Sequence, residues 1–326
     1  MRKWLNPNLL KKRIELDNKD NAIVVIGFNR LEMLNQRLLD LAKLKSRRIY
    51  ISIDFESVET TEKTKKTILE SLQLLSVNNH VSITYYEKNL GSTKHVTEVI
   101  SDTLNLHTNI IVIEDDIMLN ENTIYSLDFG LELMDQDLSI GSVGAFSPLD
   151  IFKPLQNLNR LHRTKYFACW GWATTRKKWE QYTSDLSNFD IAGSLEFSRT
   201  WNSLSHSAQS TWLGRFRKVQ INPKHTWDLQ FQYASFRNYW TNLIPLGSLV
   251  GNLEFSDFRS VHTKGSKLRW MRPVTLASKP ISLCDNQRLT AHFVEKLSSI
   301  TFVGDYGPRI IFLRKIFNFF KGNRNL

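Results

Sequence analysis

Three consecutive carboxylates, Glu114-Asp115-Asp116, directly follow the run Ile110-Ile111-Val112-Ile113. Adjacent acids repel one another and are tolerated when a divalent cation and hydrogen-bond donors neutralise them. The apolar run reads as a buried strand, so it delivers the acids to the strand's mouth. Mg²⁺ and Mn²⁺ are typically held by one or two carboxylates plus substrate phosphates. The triplet therefore predicts a divalent cation and a phosphorylated ligand, with a plain acidic turn as the competing reading. The expectation fails if the acids face away from any cavity or are tied up by arginines or lysines.

Other residues of chemical interest also follow apolar runs. Asn29 and Arg30, after Gly27-Phe28, suit a nucleobase or phosphate, or else serve as a helix cap and a solvent charge. Asp54 suits a base or ribose, or a turn. Glu87-Lys88-Asn89-Leu90-Gly91 opens a helix whose N-terminus favours an anion. Trp170-Gly171-Trp172 offers two indole faces on which a sugar ring can stack, with glycine letting the backbone turn. The alternative is that both indoles are core; Trp179, Trp212 and Trp227 are expected to be core or loop anchors. Asp228 is either a general base or a first-turn helix acid. His225 and His262 stand alone in polar surroundings, His262 among Arg259, Lys264 and Lys267. Neither GxGxxG nor GxxxxGK[ST] occurs, which removes the dinucleotide fingerprint and the P-loop.

The elements that carry these residues alternate. Strands are expected at Ala22–Ile26, Arg48–Asp54, Val81–Tyr85, Asn109–Ile113 and Gly141–Phe146. Helices are expected at Arg30–Leu44, Thr61–Leu75, Ser92–Leu104 (capped by Ser92 or Thr93), Thr123–Met134 and from Asp228 through Arg237. Such alternation implies an α/β fold with a mostly parallel sheet and helices on both faces, and its ligands bind outside the carboxyl ends of the strands.

The chain has 326 residues and is 41% hydrophobic, enough for a real core. Met1–Asn21 lacks an apolar core of the signal-peptide kind, and no apolar run is long enough to span a bilayer. Cys169 and Cys284 make neither a disulfide framework nor a zinc cluster, which suggests two free thiols in a reducing cytoplasmic setting. The net charge of +11 seeks anions. Its excess lies late, at Lys264, Lys267, Arg269, Arg272 and Lys279, then at Arg309, Arg314, Lys315, Lys321 and Arg324 among apolar residues. That last segment reads either as a basic helix on the inner face of an anionic membrane or as a helix packed on the domain.

Taken together, the short first loop, Asp54, Asn89-Leu90-Gly91 and Ile-Val-Ile-Glu-Asp-Asp resemble the GT-A glycosyltransferases and their DXD-type motif. Within these, the Glu-Asp-Asp form resembles the inverting N-acetylglucosaminyltransferase I family. The tracts Phe167–Thr174, Trp179 and Thr226–Gln232 resemble bacterial glycosyltransferase-like proteins of surface-polysaccharide loci. The resemblance runs from Ala22 to Thr263. It implies a GT-A-like fold: a Rossmann-like nucleotide-sugar half over 22–150 and an acceptor half over 151–265. These lie between an N-terminal extension (1–21) and a basic C-terminal extension (266–326). It further implies Mn²⁺ or Mg²⁺, a nucleotide-sugar donor with a UDP-sugar as first guess, and a glycan or lipid-linked acceptor. Asn29, Arg30 and Asp54 would lie against the nucleotide, and Asn89 and Gly91 against the ribose and sugar. Asp116 would ligate the metal, with His262 approaching the metal or diphosphate. Glu114 and Asp115 would meet hydroxyls or metal-bound water, and Asp228 would be the base.

Other classes stay in view: a nucleotidyltransferase, an inactive carbohydrate-binding protein, and a nucleic-acid binder. The last is disfavoured because the acids would repel a phosphate backbone.

Overall fold

The computed structural model describes residues 21–120, 122–147, 160–224, 226–245, 247–252, 282–283 and 299. His225, His262, Cys284, the 1–20 part of the N-terminal extension and nearly all of the 266–326 extension lie outside the described residues.

The first half runs β1 (Asn21–Gly27), α1 (Leu31–Leu41), β2 (Arg48–Ile53), α2 (Val58–Asn78), β3 (His80–Tyr85), α3 (Ser92–Leu106), β4 (Asn109–Glu114), β5 (Ile117–Leu119), α4 (Thr123–Gln136) and β6 (Ile140–Gly144). The second half contributes β7 (Arg160–Thr164), β8 (Trp172–Thr175), α5 (Arg176–Trp179), α6 (Ile191–Leu195), α7 (Arg199–Asn202), α8 (His206–Ile221), α9 (Asp228–Arg237), β9 (Thr241–Pro245), β10 (Val250–Asn252) and β11 (Ser282–Leu283).

Nine strands form one sheet in the order β11-β7-β9-β6-β8-β4-β1-β2-β3, and β5 pairs with β10 in a separate ribbon. The quartet β3-β2-β1-β4 is parallel throughout. The α/β class expected from the alternation is the one found, and the sheet is mixed beyond β4. There β8 runs antiparallel between β4 and β6, and β9 is antiparallel to β7.

Central parallel strands are covered on both faces and so read as continuous apolar runs. Every residue of β1 is buried, and β4 is buried up to Ile113. At the sheet edge, β3 alternates exposed and half-buried residues. One face of the sheet is covered by α1, α2 and α4 around Leu34, Leu38, Ile68 and Leu127. The other is covered by α3 and α9 around Val96, Ile100, Trp172 and Phe231. A third, aromatic cluster joins Tyr166, Trp212, Phe216, Tyr233 and Phe236 within the second half.

Two local expectations change. Helix α2 begins three residues earlier than the apolar spacing implies, because Ser57 accepts the Thr60 amide at 3.0 Å and caps it. Neither Ser92 nor Thr93 caps α3. Its N-cap is Gly91 at φ +77°, and the Thr93 hydroxyl instead donates to the Lys224 carbonyl at 2.9 Å, tying the two halves together.

Candidate functional site

The parallel quartet brings the ends of β1, β2, β3 and β4 to one edge. Because β8 runs the opposite way, with Trp172 opposite Val112 and Gly144, its N-terminal approach Cys169-Trp170-Gly171 reaches the same edge. Topology alone thus gathers the first loop, Asp54, Asn89 and Gly91, the acidic triplet and the Trp-Gly-Trp tract.

At the centre is an arginine. Arg30 Nη1 lies 3.2 Å from Asp115 Oδ1 and 3.1 Å from Asp116 Oδ2. Asp115 Oδ2 also accepts the Phe28 amide at 3.2 Å, and the Asp115 amide donates to the Ile26 carbonyl at 2.9 Å. Both aspartates are buried. A second guanidinium, Arg37, is buried on the inner face of α1 and donates to the Ile117 carbonyl at 2.8 Å. Burial lowers its pKa, while Asp40, Asp116 and Asp115 support its charge. Sequence reasoning missed Arg37. The available signal was its position on the Leu34-Leu38-Leu41 stripe, where an arginine is costly unless paired.

Glu114 keeps some solvent contact yet is densely surrounded. Burial, then Asp116 and Asp115, push its pKa well above the usual range for a carboxyl, with Arg30 opposing. Burial also raises Asp115, against the pull of Arg30 and the Phe28 amide.

Asp54 does something other than wait for a ribose. Its Oδ1 accepts the Phe55 and Leu90 amides, both at 2.9 Å, and its Oδ2 accepts the Gly91 amide at 3.1 Å. A helix N-terminus attracts an anion, and at α3 the carboxylate of Asp54 is that anion. Asn89 donates to the Phe55 carbonyl at 2.8 Å, and Asn29 donates to Glu56 at 2.6 Å. Asn29, Asp54 and Asn89 are thus brought to the edge and cross-tie its loops.

Asp228 opens α9, where it accepts the Thr226 hydroxyl. It contributes to the charge environment of Glu114, Cys169, Tyr182 and Arg215, so the two halves meet across this edge. Burial comes first in raising the Cys169 thiol pKa well above the usual value, and Asp228, Glu114 and Asp116 add to it. Burial, with Asp228 adding to it, also raises the pKa of the Tyr182 hydroxyl.

The two indoles of Trp170-Gly171-Trp172 part company. Trp172 is core: it is fully buried and stacks on Trp227 with centroids 5.5 Å apart. Among the described residues its Nε1 has no hydrogen-bond partner. Trp172 therefore offers a sugar no face, which corrects the expectation for that residue. Trp170 is half-buried and packs edge-on against Phe146 at 4.6 Å. Gly171 turns the chain at φ +62°, in the left-handed region that side chains disfavour. Trp179, Trp212 and Trp227 are core, as expected.

The chemistry of a divalent cation can be tested against these contacts. Hard carboxylate oxygens suit Mg²⁺ or Mn²⁺. Here, however, Arg30 occupies the position between Asp115 and Asp116 that such an ion would share. Among the described residues no three His, Cys, Asp or Glu side chains are arranged around a common metal position. His262 lies outside the described residues. The arrangement does not fit a resident divalent cation: Arg30 ties up Asp115 and Asp116, which is the condition under which the triplet's prediction of a cation and a phosphorylated ligand fails. None of the three acids lines the hollow of about 110 Å³ on the sheet face beneath α3, bordered by Tyr50, Ser52, Thr84, Tyr86 and Asp102. Among the described residues no helix is long and apolar enough to cross a membrane.

No protein-family model matches the chain, and no curated protein matches it. Solved structures similar to it include the glycosyltransferase GlyE of Streptococcus pneumoniae TIGR4. The identity there is 11%, over 69% of this chain and 45% of that one, with a TM-score of 0.33. The apo form of GlyE gives 10% identity, the same coverage and a TM-score of 0.29. A Desulfovibrio desulfuricans G20 protein, provisionally assigned as a nucleotide-diphospho-sugar transferase, gives 11% identity over 48% of this chain and 64% of that one, with a TM-score of 0.24. The chain spans less than two thirds of each of these proteins. Likeness at this level carries no argument about activity.

Proposed function

We propose that this chain is a nucleotide-sugar-dependent glycosyltransferase whose donor lies along the carboxyl edge of the parallel quartet. The observation that carries the reading is the gathering of the loops after β1, β2, β3 and β4, with Arg30 and Asp228, at that edge, where open α/β sheets receive ligands. A UDP-sugar is the first donor to try, and the acceptor is a surface glycan or its lipid-linked precursor.

In this reading the nucleotide lies against the loops that Asn29, Asp54 and Asn89 cross-tie, with Gly91 beside the ribose. Arg30 faces the diphosphate. Glu114, held toward its protonated form, donates a hydrogen bond to a sugar hydroxyl, and Trp170 presents the remaining indole face to a sugar ring. Asp228 takes the proton of the acceptor hydroxyl as that oxygen attacks the anomeric carbon. The bond from that carbon to the diphosphate oxygen breaks, its electron pair leaves with the nucleoside diphosphate, and the centre inverts. Mn²⁺ or Mg²⁺ on Asp116 and His262 is left out, because Arg30 already holds Asp116.

The test is release of nucleoside diphosphate from a panel of sugar nucleotides, with a lipid-linked or oligosaccharide acceptor present. Turnover with one donor, lost in Asp228→Asn, is expected. The absence of turnover and of donor binding across the panel would remove the reading.

A further inference from the structure

We propose that the hollow beneath α3 is a carbohydrate-binding site, separate from the carboxyl edge, that takes a neutral sugar unit of a glycan. Where α3 covers β1 and β4, the sheet face is apolar, through Val24, Ile26, Ile110 and Val112. On β2 and β3 the same face is polar. Tyr50 stands opposite Ser82 and Ser52 opposite Thr84, so four hydroxyls form one block on two adjacent strands. All four border the hollow of about 110 Å³.

Two histidines, both 3% exposed, brace this block from behind. His95 Nε2 lies 2.8 Å from Ser52 Oγ, and its ring meets the Tyr86 ring edge-on at 5.3 Å. His107, at the C-terminal cap of α3, lies 2.8 Å from the Tyr50 hydroxyl, with ring centroids 5.4 Å apart. Buried, paired polar groups of this kind fix orientation. The two tyrosines and the Ser52 hydroxyl are therefore set before a ligand arrives, which lowers the cost of binding. Ser82, Thr84 and Asp102 are exposed at the rim. A sugar ring presents C–H faces to aromatic rings and hydroxyls to such polar groups. Among the described residues no lysine or arginine lines the hollow, whereas Asp102 does. A phosphate is repelled there and a neutral sugar is not.

The experiment is calorimetric titration of the full chain with a panel of neutral gluco-, galacto-, manno- and N-acetylglucosamine oligosaccharides, with no nucleotide present. Hydrogen exchange then locates the one that binds. Protection is expected at residues 82–86 and 102–106. Thr84→Val removes one rim hydroxyl and should weaken that binding roughly two- to tenfold. Ser82→Tyr puts a ring into the hollow and should abolish it. Both positions are exposed on an edge strand and both replacements favour strands, so the fold should hold. UDP affinity should stay as in wild type. Should either variant fail to fold, the wild-type exchange pattern still decides. No binding across the panel, or binding that survives Ser82→Tyr, overturns this inference. Protection confined to the carboxyl edge also overturns it and leaves the glycosyltransferase reading standing. Protection in the hollow without donor binding or turnover upholds it and removes that reading.

Discussion

The carboxylate of Asp54, at the end of β2, accepts the Leu90 amide at 2.9 Å and so pins the loop that opens α3. Replacing one oxygen by an amide nitrogen puts a donor opposite a donor. Asp54→Asn should cost roughly 1–3 kcal/mol, read as a lower midpoint in denaturant. It should also speed amide exchange at Leu90 and Gly91 and weaken donor binding. An unchanged midpoint together with unchanged exchange would show that the bond does not hold the loop.

The two indoles flanking Gly171 predict opposite phenotypes. Trp172→Ala empties a fully buried site stacked on Trp227 and should cost roughly 3–5 kcal/mol. Trp170→Ala removes a half-buried ring. Its effect should appear mainly as weaker sugar binding, with a stability loss of no more than about 1.5 kcal/mol for the lost aromatic pair and buried area. Equal destabilisation by the two would contradict the division.

Glu114 predicts a pH dependence. Its folded pKa stands above the ordinary 4.5, so the folded state holds a proton that the unfolded state releases. Stability is full below that ordinary value and falls as pH rises toward the folded pKa, at up to about 1.4 kcal/mol per pH unit. Glu114→Gln keeps the neutral form at every pH. It should match wild type near pH ~4 and exceed it near pH ~8 in urea midpoints. A difference that does not change with pH would show that Glu114 ionises freely.

For Asp228 the expected loss is kinetic. Asp228→Asn keeps the shape at the start of α9 and removes the base. Turnover should fall about 10²–10⁴-fold with donor affinity unchanged. The stability cost should stay near ~0.3–1 kcal/mol, the usual value for a first-turn acid. A loss confined to stability would make Asp228 a helix acid and nothing more.

Much of the first half is legible in the chain because its signals are local. The continuous apolar runs of β1 and β4 mark central parallel strands, and the stripe Leu31-Leu34-Leu38-Leu41 marks α1. Helix α9 begins and ends where Asp228 and Arg237 suggest. Pairing was illegible. Arg30 stands 85 residues before Asp115 in the chain, and local sequence does not say whether an acid cluster will meet a metal or a guanidinium. Gly171 was legible as a turn, but the burial of Trp172 follows from β8 inserting antiparallel beside β4, which depends on register across the whole sheet. The strands of the second half are short, and β7, β8 and β9 carry polar residues such as His162, Thr174 and Asn242 at buried positions. They therefore lack both the apolar run and the alternation that reveal a strand.

Hydrogen exchange of the full chain, with and without a saturating sugar nucleotide, tests the central claim most directly. Protection should concentrate at residues 28–30, 89–91, 114–116 and 169–171, the loops gathered at the carboxyl edge. Protection that appears instead around Tyr50, Ser52 and Tyr86, in the hollow beneath α3, would place the ligand elsewhere and contradict the account.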